Sequence, residues 1–237
     1  MVRQSGLTRV LLLGAASLTA LNVHAEWKGK GELGLVIAKG NTETETINAK
    51  VDMTTEHDPW KHLIGFSVLR STNADVATAD RYEFHGQSDY KLSAQSYALG
   101  SLRYENDKFS PYNYQEVAAV GYGYKVYDTE ITKFATEIGV GYRRAEDRLT
   151  GEVQGNAIVR GALNFDHKLT TSSEVYDKFL VESGSDNTFV QNEAGVKANI
   201  NTSLALSLAH LLRHNTRVRE PLRHTDQLIT ANLVFAF

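Results

Sequence analysis

The sequence predicts an all-β protein: a transmembrane antiparallel up-and-down β-barrel of about 12 strands behind an N-terminal signal peptide. Three observations predict it. Apolar and polar residues alternate with period two along nearly the whole chain, with no convincing helix. Many of the alternating runs are long, where globular strands cluster near ~5–6 residues and a tilted membrane strand needs roughly 9–11. The chain closes on "LITANLVFAF", an apolar strand whose last residue is Phe237.

The leader comes first. "MVRQSGLTRVLLLGAASLTALNVHA" carries Arg3 and Arg9 and no acid, then a weakly apolar run from Val10 to Leu21, then small residues before a cut after Ala25. It is too short for a bilayer-spanning helix. Residues 1–25 are therefore expected to be a signal peptide and residues 26–237 a single barrel domain. Without Arg3 and Arg9 the 25 basic residues fall to 23 against 28 acidic, which gives no reason to expect nucleic acid. The chain has no Cys, so an exported protein of this length holds together by packing and backbone pairing.

Strands are read at 30–39, 44–56, 60–71, 80–91, 96–106, 113–126, 130–145, 152–166, 173–183, 188–200, 203–214 and 225–237. Between them lie turn residues, as in "GNTE", "HDPW", "KFSPY", "EDRLTG" and "GSDN". Most strands show a clear two-faced pattern. Tyr82, Phe84 and Tyr90 oppose Arg81, Glu83, His85, Gln87, Asp89 and Lys91, and Ile138, Val140 and Tyr142 oppose Lys133, Glu137 and Arg143. The fifth and ninth strands are ambiguous and are left unassigned.

Alternation fits either a soluble periplasmic β-protein with its apolar face inward or a membrane barrel with that face toward lipid. Strand length favours the membrane. So does aromatic placement. With the mature N-terminus in the periplasm, Trp60, Tyr90, Tyr97, Tyr122, Tyr124, Phe235 and Phe237 gather at one rim. Tyr82, Phe84, Tyr104, Tyr112, Tyr114 and Tyr142 gather at the other, where amphipathic rings are favoured at the interface. The terminal strand resembles the closing signature of Gram-negative outer-membrane barrels. That resemblance makes Phe235 and Phe237 the signal for the barrel-assembly machinery.

The stretch "GELGLVIAKGNTETETINAKVDM", with its turn at Gly40, Asn41 and Thr42, resembles a known family opening, and "GYGYKVY", "EIGVGYRRAE" and the terminal Phe fit as well. The family is that of the salt-induced outer-membrane proteins, domain of unknown function 481. The resemblance covers essentially the whole mature chain and implies a Gram-negative outer-membrane β-barrel. It implies no substrate and no catalytic residue.

The faces opposite the apolar ones give the candidate lumen. They carry Lys50, Arg81, Lys91, Lys133, Arg143, Arg160 and Lys197, and Glu32, Asp52, Glu83, Asp89, Glu137 and Glu193. Such mixed charge either pairs across the strands and plugs the interior or lines a narrow wet channel without strong ion preference. Twelve strands fall between the filled barrel of ~8 and the open pore of ~16. The loop "RHNTRVREPLRH" is the one cationic cluster. Arg213, Arg217, Arg219 and Arg223 there either pair lipopolysaccharide phosphates outside the cell or form a solvated turn.

An enzyme is not expected. His62 and His210 lie on apolar faces and Ser88 is a candidate outward serine, but they sit on strands not expected to adjoin at matching depth. No His or Cys spacing suggests a metal site, and no cofactor motif is present. The expected partners are outer-membrane lipid, lipopolysaccharide and the assembly machinery. The expected role is a narrow passive channel or an envelope-integrity protein tied to salt or osmotic stress, the stress link coming from the resemblance alone. The competing reading is a barrel-embedded enzyme acting on lipid.

Overall fold

The computed structural model describes residues 26–38, 44–74, 76–218 and 223–237. The expected signal peptide, the turn at Gly40, Asn41 and Thr42, and Arg219 lie outside them. Twelve strands follow in chain order: β1 Trp27–Ala38, β2 Thr44–His57, β3 Trp60–Asn73, β4 Val76–Lys91, β5 Ser96–Asp107, β6 Tyr112–Asp128, β7 Thr132–Asp147, β8 Val153–Lys168, β9 Ser173–Gly184, β10 Thr188–Asn199, β11 Leu204–Asn215 and β12 Thr225–Ala236. Each pairs antiparallel with its sequence neighbours, and β1 pairs with β12, so the sheet is closed. The strands run from 12 residues in β1 to 17 in β6, long enough for a tilted crossing of hydrocarbon.

Closure is a requirement of the solvent. In lipid every backbone N–H and C=O must be paired within the protein, which an open sheet edge cannot do. The side chains match. Ile229 is 71 % exposed, Ile138 65 % and Val140 62 %, while Glu105 and Glu182 are each 2 % exposed. Apolar residues face out and charges face in, the reverse of a water-soluble sandwich. Outward rings join across neighbouring strands. Tyr82 stacks on Tyr104 at 6.1 Å and Tyr104 on Tyr114 at 6.2 Å, while Trp60 meets Tyr90 edge-on at 5.0 Å. Tyr97 departs from the expected rim. It is buried, and its hydroxyl donates to Glu137 Oε1 at 2.9 Å, because the inward face of β5 begins with Tyr97 and Leu99.

The seam between β1 and β12 registers only over Lys30↔Ala236 to Leu33↔Leu233, whereas β1 and β2 pair along the whole of β1. The chain end reinforces it. Gly29 N donates to Phe237 O at 2.6 Å, and Phe237 N donates back to Gly29 O at 2.9 Å. The Phe237 ring lies on Gly29 so closely that a Cβ there would sit 2.1 Å from Cε2. The final residue thus fastens the barrel, with Phe235 stacked beside it at 6.0 Å.

Candidate functional site

Inward side chains from opposite walls meet in layers. The layers run from the end opposite the termini, the far end, to the terminal end. Arg143, 1 % exposed, donates to Asp186 Oδ1 at 2.5 Å and to the Asn187 carbonyl at 2.7 Å, which ties the β9–β10 connection down over the barrel. Beneath it Arg103 on β5 donates to Glu182 on β9 and lies 3.6 Å from Glu105. Arg213 on β11 donates across the barrel to Glu105 and lies 3.6 Å from Asp107. Both guanidinium groups lie 4.9 Å from the centroid of the buried Phe189 ring, one cation–π contact each.

At mid-depth Lys50 on β2 spans to Asp52 at 3.7 Å and to Glu193 on β10 at 3.6 Å. His85 stands between Asp52 and Glu83, 3.4 Å from each. Glu83 lies 4.0 Å from Arg103, so the two layers form one connected network. Nearer the termini, Glu137 accepts from Gln87 at 2.9 Å, from Tyr97 at 2.9 Å and from Arg160 at 2.7 Å. Tyr97 reaches it because Gly123 opposite leaves room; a Cβ there would lie 2.1 Å from the ring. Buried charge persists only when paired and hydrogen-bonded, and here the partners come from opposite walls.

These bridges divide the lumen unequally. A cavity of about 920 Å³ reaches from the terminal rim, at Trp60, Lys91, Asp128 and Lys133, up to Arg81, Arg103 and Glu182. Glu105, Arg213 and Phe189 are not among its walls; they fill the cross-section above it.

Most candidate lumen residues line this cavity: Glu32, Lys50, Asp52, Arg81, Glu83, Asp89, Lys91, Lys133, Glu137, Arg160 and Glu193. Lys91 and Lys133 are exposed at its mouth, Lys91 with Asp58 at 2.8 Å. Arg143 belongs to the far-end closure, and Lys197 is buried between Glu174, at 2.9 Å, and the Tyr176 ring. Arg213 corrects the sequence reading. It lies in β11 rather than in an external loop, 6 % exposed and turned into the barrel, because strand alternation continues to Asn215. Arg217 and Arg223 are exposed, the Arg217 N–H donating to Asn187 Oδ1 at 3.0 Å. Sequence reasoning left Arg103, Glu105 and Glu182 out, since they lie on the two unassigned strands.

One further expectation is overturned. His62 and Ser88 are direct cross-strand neighbours of β3 and β4, with Nδ1 and Oγ 2.9 Å apart. The same pairing recurs at Thr132 and His167, 2.8 Å, and at His214 and Thr225, 2.9 Å. His62 and His167 also stack on Trp60 and Phe165. A histidine tied to a cross-strand hydroxyl among aromatic rings is thus a recurring girdle element, and among the described residues no carboxylate orients His62.

Known proteins place this geometry in context. The family described as "Protein of unknown function, DUF481" matches residues 31–237. Among solved structures, the NanC porin is similar with a TM-score of 0.51 at 9 % identity, covering 89 % of this chain and 98 % of that one. The translocator domain of autotransporter NalP from Neisseria meningitidis follows at a TM-score of 0.49 and 9 % identity, covering 89 % and 87 %. No curated protein matches in sequence.

Proposed function

The chain belongs to that family, DUF481, and as a transmembrane barrel of the outer-membrane kind we propose that it is a narrow passive channel held closed at rest. Both termini face the periplasm, as an even strand count allows. The cavity is then a vestibule open to the periplasm, and the Arg103–Glu105–Arg213 layer is the barrier toward the cell exterior. The observation that carries this reading is the cavity's upper limit. It ends beneath cross-barrel ion pairs supplied by side chains, with the short β9–β10 turn held above them by Arg143 and no helix among the described residues. Side-chain pairs can part without refolding the wall, so a barrier of this kind opens by rearrangement.

Planar-bilayer recording tests it. The refolded protein should be almost silent, and Glu105→Ala with Arg213→Ala should show discrete, stable steps. Large steps of equal size in both would refute closure. Silence in both would make the barrel a structural envelope element. Exposed Arg217 and Arg223 are the candidates left for lipopolysaccharide phosphates; their replacement by Gln should lower retention on immobilised lipopolysaccharide. A salt-stress role rests on family resemblance, and a deletion strain that grows normally in high salt would remove it.

A further inference from the structure

Two part-buried cations on the cavity wall lack the partners their strands provide. Lys178 on β9 stands directly opposite Glu193 on β10 in the register. Glu193 instead faces Lys50, which reaches it from the other side of the barrel at 3.6 Å. Arg81 on β4 stands opposite Asp107 on β5. Asp107 in turn faces Arg213, at 3.6 Å. Lys178 and Arg81 therefore make no ion pair or hydrogen bond with any described residue, although both are part-buried and line the cavity. The carboxylates of the cavity that have no cation partner, Asp89 and Asp166, lie near its mouth, two residues from the terminal-end limits of β4 and β8.

In the adjoining strands Lys178 has Asn164 on β8 and Glu193 on β10, and apolar residues continue the wall around them. Leu180 follows on the same face of β9, and Leu211 and Leu228 continue the cross-strand row beyond Glu193. All three line the cavity and are part-buried. Leucines inside a charged lumen offer an apolar body something to touch, and a half-desolvated ammonium beside them binds an anion more strongly than one in water.

We infer that the cavity is a binding site for a small organic anion with a short apolar body, its charge held by Lys178 and its approach favoured by Arg81. This rests on the vestibule reading for access alone. Binding is measured at equilibrium without conduction, so failure of the channel reading and failure of this one are separable.

The test uses the full barrel in nanodiscs, with empty nanodiscs as the blank for lipid partition, and calorimetric titration with hexanoate and with hexylammonium. Hexanoate should bind and hexylammonium should not. Lys178→Gln should weaken hexanoate by about tenfold, Arg81→Gln by about threefold, and Lys178→Arg should retain most of the affinity. Glu193→Gln, which releases Lys50 as well, should strengthen it. Lys178 makes no ion pair or hydrogen bond with a described residue for its Gln variant to break, so that variant should fold, and heat-modifiable gel mobility checks that. No hexanoate binding to the wild type, equal affinity in a folded Lys178→Gln variant, or equal binding of hexylammonium would each overturn the proposal.

Discussion

The far end and the terminal end of this lumen are built from the same ingredients and end differently. At the far end Arg103, Arg143 and Arg213 each find an acceptor, two of them on the opposite wall and the third on a tied-down turn, and a buried Phe189 fills the space between. Toward the terminal end the wall of β7 and β8 carries the small residues Ala135 and Ala162, which line a cavity of about 920 Å³. The difference teaches that lumen charge alone does not decide between plug and path. What decides is whether long side chains can reach a partner across the barrel and whether the facing residues are large enough to complete the layer. Arginine suits the first task, because its planar fork meets carboxylates in fixed geometry; the lysines remain mostly in the open half.

The largest effect that would break this contrast is loss of one member of the far-end layer. Glu105→Ala leaves two buried guanidinium groups facing one another and should cost roughly 3–5 kcal/mol in urea unfolding from lipid vesicles. A change at the opposite end should act on closure without opening the barrier. Gly29→Val drives a side chain into the Phe237 ring and should cost about 1–3 kcal/mol and slow folding, read by gel mobility, with conductance still silent. Smaller again is Tyr97→Phe. Glu137 keeps Gln87 and Arg160 as donors, so the loss should be about 1 kcal/mol. Least of all in stability is the paired change Glu105→Leu with Arg213→Met. Replacing a buried ion pair by apolar residues of like volume should be near neutral, which would show that the layer's stability contribution is packing while its charges serve the barrier.

Much of this was legible in the sequence. The expected strand at 44–56 is Thr44–His57, and that at 60–71 is Trp60–Asn73. A period of two is unambiguous when one face is lipid and the other is charge. Reading failed where the inward face was itself apolar. β5 turns Tyr97 and Leu99 inward, and its outward face includes Gly100, so Arg103 and Glu105 had no clear face to belong to. β9 hides Glu182 in the same way behind Tyr176 and Leu180. Arg213 was misread because its neighbours in sequence are loop arginines, although its alternation with Leu211 and Ala209 places it inside. Cross-barrel partners such as Glu105 and Arg213 are far apart in sequence, and only closure of the sheet brings them together. The pairing of His62 with Ser88 followed from the short β3–β4 hairpin register, which exposes a cross-strand contact that strand-by-strand depth does not.

The central claim is that the lumen is shut on the side away from the termini and open on the other. The absence of cysteine makes a direct test simple. Ser101, inward on β5 just below Arg103 and on the cavity wall, is replaced by Cys, and a membrane-impermeant maleimide is added to intact cells. The account predicts no labelling until the outer membrane is permeabilised, and labelling of intact cells once Glu105→Ala and Arg213→Ala are added. Rapid labelling of intact cells with the Arg103–Glu105–Arg213 layer unaltered would contradict it.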